Sequence, residues 1–195
     1  MRFKDLFISL IVAIIGISPA LQSCSSVEPN KDVSPDIICL PDQHSGDQIC
    51  VHLSTSDDQV ILHLVSKKDT LSKWPLYCPV IKLDTGDANA DGHPDLLVMP
   101  VKPTRRDSTK RPRPFLYEVY KGHLRPLWLG SWIGSPMLDF RVTQPGTVRF
   151  LLEEPDSSTL FMVADFEWRG FSPLFDQYRV RNADLDSARS VFEND

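Results

Sequence analysis

Three times along the chain, four short strand-like runs follow one another before the pattern restarts. They are 37–40, 48–53, 60–65 and 70–74, then 80–84, 95–101, 115–121 and 124–129, then 137–142, 148–153, 160–168 and 174–180. Each run alternates apolar with polar residues or is rich in β-branched and aromatic ones, as a pleated strand with a buried face requires. The 16 prolines work against long helices, because proline lacks the N–H that a helix interior uses. A four-strand unit recurring every ~40–50 residues marks stacked sheets, since one small sheet leaves an apolar face in water until a neighbour covers it. The spacing predicts an all-β domain over 37–182, a propeller-like stack of about three four-stranded blades. A two-sheet β-sandwich is the alternative. Propellers usually have roughly four to eight blades, so three units imply an incomplete stack or one completed by association. Residues 183–195 read as a C-terminal tail.

One connection in the middle unit carries chemistry. It reads Asp84-Thr-Gly-Asp-Ala-Asn-Ala-Asp-Gly-His-Pro-Asp95. Oxygen-bearing side chains recur at alternate positions, Asp87, Asn89 and Asp91, and Asp95 closes the loop. Alternate residues of a loop that folds back converge on one centre, and Ca²⁺ takes roughly six to eight oxygens at about 2.3–2.6 Å. The main-chain carbonyl of His93 is a further donor. Gly92 falls at the bend, where positive φ is cheap only without a Cβ. The opening D-x-N-x-D-G is also that of an EF-hand loop. Position twelve, however, is Val98 instead of a bidentate Glu, and both flanks are strand-like.

The segment resembles instead the FG-GAP/VCBS repeats, β-propeller blades that carry D-x-N-x-D-G-x-x-D between their first two strands. Asp87, Asn89, Asp91, Gly92 and Asp95 all match. The resemblance implies one structural Ca²⁺ bracing a strand-to-strand turn. An ion-free turn is the alternative, because Asp, Asn and Gly suit turns in any case. At the equivalent place the first unit has Pro41-Asp-Gln-His-Ser-Gly-Asp47, with Asp42 and Asp47 as a weak site at best, and the third has no acid at 143–146.

The N-terminus reads as export. Arg2 and Lys4 precede an apolar run over 6–17, too short to span a hydrocarbon core of about 30 Å. Leu21-Gln-Ser-Cys24 resembles the lipobox of bacterial lipoproteins. That resemblance implies a signal peptide over 1–23, a lipid-bearing (palmitate) Cys24 and a flexible polar tether over 24–36. It places the domain in the cell envelope, lipid-anchored to the outer membrane and facing the periplasm, with Ser25 compatible with outer-membrane sorting. An ordinary secretory signal is the alternative. Cys39, Cys50 and Cys78 remain, an odd set that allows one internal disulfide. Cys39 and Cys50 flank a turn-like segment and form a possible hairpin pair; pairing with Cys78 is the rival.

The net charge of −5 offers no electrostatic case for nucleic acid. Lys102, Arg105, Arg106, Lys110, Arg111 and Arg113 nevertheless gather around a single acid, Asp107, among three prolines. They form a candidate flexible arm for anionic lipid headgroups or acidic glycans, or a plain solvated loop. Trp128, Trp132, Phe166, Trp168, Phe171, Phe175 and Tyr178 could line a saccharide-stacking surface, but they fall on strands or strand ends, where aromatics bury large apolar area, and read as core. Trp132 is the aromatic expected to be exposed.

No catalytic constellation emerges. Glu153 and Glu154 point to opposite faces of a strand, His52 and His63 lack a third ligand, and there is neither a G-x-S-x-G elbow nor a Gly-rich phosphate loop. The expectation is a calcium-binding, membrane-anchored binding or scaffold module, not an enzyme, whose partner is an envelope protein or glycan. A glycan-binding or glycan-active envelope protein is the alternative.

Overall fold

The computed structural model describes residues 37–56, 59–67, 69–105, 107–130 and 133–194; the expected signal peptide over 1–23, the expected lipid-bearing Cys24, the expected tether over 24–36, Arg106 and Trp132 lie outside the described residues. Strands β1 (Ile37–Pro41), β2 (Gln48–Ser56), β3 (Gln59–Ser66) and β4 (Asp69–Leu76) form a first antiparallel sheet in sequence order. The second contains β5 (Val80–Gly86), β6 (Asp95–Lys102), the two-residue β7 (Arg111–Pro112), β8 (Phe115–Tyr120) and β9 (His123–Leu129), with β7 paired to β6. The third runs β10 (Met137–Gln144), β11 (Thr147–Glu154), β12 (Ser157–Arg169), β13 (Ser172–Ala183). The fold is all-β, three stacked meanders that do not close into a propeller.

The stacking follows from the two-residue period of a strand. Leu40, Ile49, Val51, Leu62 and Leu64 of the first sheet meet Leu96, Val98, Tyr117 and Val119 of the second. The other face of the second sheet sends Leu97, Met99 and Leu116 against Phe140, Phe150, Leu152 and Ala164 of the third. The middle sheet is therefore covered on both sides, and β6 is buried without interruption from 95 to 100, as a doubly covered strand must be. Lys82 of β5 also reaches across, donating to Asp139 Oδ1 at 2.8 Å and to the Phe140 carbonyl at 2.9 Å.

The expected tail is a correction. β13 runs on to Ala183, and a helix, α1 (Leu185–Asn194), lies on the outer face of the third sheet, where Ala188 and Phe192 pack with Leu151 and Val163. Asp184 caps it, accepting the Ser187 N–H at 2.9 Å. Under the helix Arg149 forks onto Asp165, with Nε–Oδ1 at 2.7 Å and Nη2–Oδ2 at 3.0 Å. Opposite ends of the stack thus differ: the outer face of the first sheet carries Cys39, Cys50, His52 and His63, none of them buried.

Cys39 and Cys50 are directly paired residues of β1 and β2 and form a disulfide, with Cα atoms 3.9 Å apart. Cys78 is free and buried, and that burial pushes its thiol pKa up.

Candidate cation-binding loop

Gly86 pairs with Asp95 across β5 and β6, so residues 87–94 form the whole connection. The loop sits against the third sheet. A Cβ on Gly86 would lie 2.5 Å from Cβ of Val142, so only glycine fits there. The Asp87 carbonyl accepts the Gly146 N–H at 2.9 Å, and the Gly146 carbonyl in turn accepts Trp168 N–H at 2.7 Å. Gly92 takes φ +87°, as the bend requires, and Ala90 joins it in the left-handed region at φ 59°.

Within the loop the side chains fold onto its own backbone. Asp87 accepts the Asp91 N–H at 3.1 Å and the Gly92 N–H at 3.0 Å. Asn89 Oδ1 also accepts Asp91 N–H at 3.1 Å, while its Nδ2 donates to Asp91 Oδ2 at 2.9 Å. Asp91 Oδ1 accepts the His93 N–H at 2.9 Å. These are the side-chain-to-backbone bonds that hold Asx turns. Among the described residues no three His, Cys, Asp or Glu side chains stand in a ready-made metal cage.

Asp95 is different. It is the first residue of β6, is 0% exposed, and accepts one bond, from Ala88 N–H to Oδ2 at 2.9 Å. Its Oδ1 is buried with no partner. Burial first, then the neighbouring charges of Asp91 and Asp87, raise its pKa to about 7, against the pull of the Ala88 and Asn89 amides. A buried carboxylate is tolerable only when it is neutralised or meets positive charge.

The corresponding turn of the first sheet also buries an aspartate, but satisfies it. Asp42 is 2% exposed; Oδ1 accepts His44 N–H at 2.9 Å and Ser45 N–H at 3.0 Å, and Oδ2 accepts Gly122 N–H at 2.6 Å. Burial pushes the carboxyl pKa up, yet the backbone donors together outweigh it and leave it lowered. Asp42 is a clasp between the first and second sheets, with its lone pairs directed at amides.

The basic segment is a second correction. It turns back through β7, with Lys102 opposite Arg111, instead of protruding as an arm. Arg113 is 3% exposed and donates to Asp107 Oδ2 at 2.7 Å and to the Lys102 carbonyl at 3.2 Å. Arg111 lies 3.6 Å from the same carboxylate. The hydrogen bond from Arg113, chiefly, holds the Asp107 pKa down at about 2. Lys102 rests over the Phe115 ring, 5.4 Å from its centroid. Among the described cations of this segment, Arg105 and Lys110 are the exposed ones.

Other acids are engaged as well: Glu154 accepts Arg181 Nε at 3.1 Å and Nη2 at 2.5 Å, and Asp165 belongs to Arg149. His52 lies opposite His63, and the latter bonds the Ser54 hydroxyl at 2.7 Å. Of the aromatics, Trp128 and Phe166 are buried, but Phe171, Phe175 and Tyr178 are exposed, against the expectation that they would be core.

No protein-family model, no curated protein and no solved structure matches this chain.

Proposed function

We propose that the loop from Asp87 to Asp95 binds one Ca²⁺. In this reading the chain is a calcium-braced binding or scaffold module of the bacterial cell envelope, tethered through a lipid on Cys24. The observation that carries the ion is Asp95 Oδ1, a fully buried, unpartnered carboxylate oxygen beside two further acids. Asp87, Asn89, Asp91 and Asp95 would supply side-chain oxygens, with the His93 carbonyl as a main-chain donor. Each carboxylate offers about four lone-pair sites, so the amide bonds already made do not exhaust the donor set. The ion would supply the positive charge that Asp95 otherwise lacks.

Such an ion braces a corner. The loop is joined to the third sheet through the Asp87 carbonyl and through the close approach of Gly86 to Val142. Fixing it steadies the junction between two sheets as well as one turn. The FG-GAP/VCBS likeness of the loop agrees with that role, and the lipobox-like Leu21–Cys24 segment supports the envelope location. Partners would be an envelope protein or glycan.

Binding to the native state alone stabilises it by RT ln(1 + [L]/Kd), about 2.7 kcal/mol at a hundredfold excess over Kd. Removing Ca²⁺ with a chelator is expected to lower the melting temperature of the wild type but not of Asp87→Ala/Asp91→Ala. Equal responses in the two proteins contradict the ion. For the anchor, Cys24→Ser is expected to shift the protein out of the detergent-soluble membrane fraction; unchanged fractionation contradicts lipidation.

A further inference from the structure

Sheets two and three leave a groove of about 580 Å³ between Trp128 of β9 and the aromatic residues of β12 and β13. That volume is within the range of small-molecule sites, about 300–1,000 Å³. Its third-sheet wall is a ladder of rings: Phe166 meets Phe175 edge-on with centroids 5.7 Å apart, and Phe175 meets Tyr178 at 4.7 Å. Phe171 stands at the rim, 83% exposed, with Phe175 and Tyr178 each nearly half exposed. Three neighbouring rings left in water form a larger apolar patch than isolated surface hydrophobes do.

A second observation is independent of the rings. Ser135, in the connection between β9 and β10, lines the same groove, is 2% exposed, and its Oγ has no hydrogen-bond partner. A buried hydroxyl without a partner is costly, and a ligand group able to meet it would remove that cost.

The lining also says what does not belong. No carboxylate, amide, guanidinium or ammonium side chain contributes to it. Its side-chain hydroxyls are those of Ser135, Ser172 and Tyr178, of which Ser135 is the buried one without a partner. A sugar ring, with a hydroxyl on most of its carbons, would leave most of them unpaired here, and a charged ligand would fare worse. We propose that this groove binds an uncharged, ring-bearing apolar molecule with a single hydroxyl or carbonyl, the rings packing on Phe171, Phe175 and Tyr178 and the polar group meeting Ser135. This site is separate from the cation loop and does not depend on it.

The test uses the mature chain and the uncharged dye N-phenyl-1-naphthylamine, titrated with Ca²⁺ and again with chelator. Saturable binding of one dye per chain in both conditions is expected, weakened about tenfold or more by Phe171→Ala and by Phe175→Ala. Phe171 is so exposed that its loss leaves the fold intact, which far-UV circular dichroism checks. In competition, 1-naphthol is expected to displace the dye better than naphthalene does, and Ser135→Ala to erase that difference. Absence of saturable binding, or binding that both phenylalanine variants leave unchanged, overturns the site. Displacement by neutral oligosaccharides at lower concentration than by 1-naphthol overturns the ligand class. Sedimentation showing a dimer that Phe171→Asp dissociates overturns it too, making a second copy the occupant.

Discussion

Two turns at the same place in successive sheets each bury an aspartate, and they resolve that burial in opposite ways. Around Asp42 the protein provides N–H donors to both oxygens, including one from Gly122 in the neighbouring sheet. Around Asp95 it provides one hydrogen bond, from the Ala88 amide, a weaker pull from the Asn89 amide, and two more negative charges. Burial alone does not set a carboxylate's behaviour; the count and sign of what faces it do. Asp42, with its pKa lowered, contributes stability that is present above the unfolded value of 3.8 and lost as pH falls through its folded value. Asp95, raised from 3.8 to about 7, does the reverse. The native state holds its proton more tightly than the unfolded chain, so rising pH through that window destabilises the metal-free protein. A cation would offset that loss.

The largest effect expected is at the satisfied turn. Asp42→Ala leaves the Gly122, His44 and Ser45 amides without their acceptor and should cost about 3 kcal/mol by urea unfolding, with charge-assisted bonds each worth roughly 1.5–3 kcal/mol. A cost near zero would mean the clasp is decorative and the contrast void. Next comes the unsatisfied turn. In chelator at about pH 8, Asp95→Asn should stabilise by about 1–2 kcal/mol, since a neutral amide replaces a buried charge, and should abolish the gain from Ca²⁺. Destabilisation in chelator would show that the Asp95 charge is welcome as it stands.

A pH series sharpens the same point. Metal-free wild type should lose stability between pH 4 and about 7 relative to Asp95→Asn, and the difference should shrink when Ca²⁺ is added. Parallel curves for the two proteins would remove Asp95 from the account. The smallest effect is expected at exposed Asp47, whose contributions to its turn come from the main chain, a carbonyl that accepts the Asp42 N–H and an N–H that donates to the Ser45 hydroxyl. Asp47→Ala should change stability by no more than about 0.5 kcal/mol and leave the Ca²⁺ response intact. A lost response would point to a second ion site in the first sheet.

The sheets were legible because strand period and turn residues are local signals, and so was the positive φ of Gly92. The pairing of Cys39 with Cys50 remained open until β1 and β2 were placed in register. The contrast between Asp42 and Asp95 was not readable, because it depends on the Gly122 amide, 80 residues away in sequence. Arg113 turned inward for a similar reason: β7 folds onto β6 and brings Asp107 to it. The helix had a readable signal that composition masked, with Asp184 as cap and Ala188 and Phe192 four apart on one face. The exposed rings of β13 ran against the usual burial of aromatics, and only the packing of sheet on sheet uncovers them.

Calorimetric titration of Ca²⁺ into the metal-free domain over residues 24–195 at about pH 8 decides whether the loop from Asp87 to Asp95 holds an ion. A single saturable ion per chain is predicted, with the heat gone in Asp87→Ala/Asp91→Ala. No binding heat at millimolar Ca²⁺, or the same binding in that variant, would contradict it.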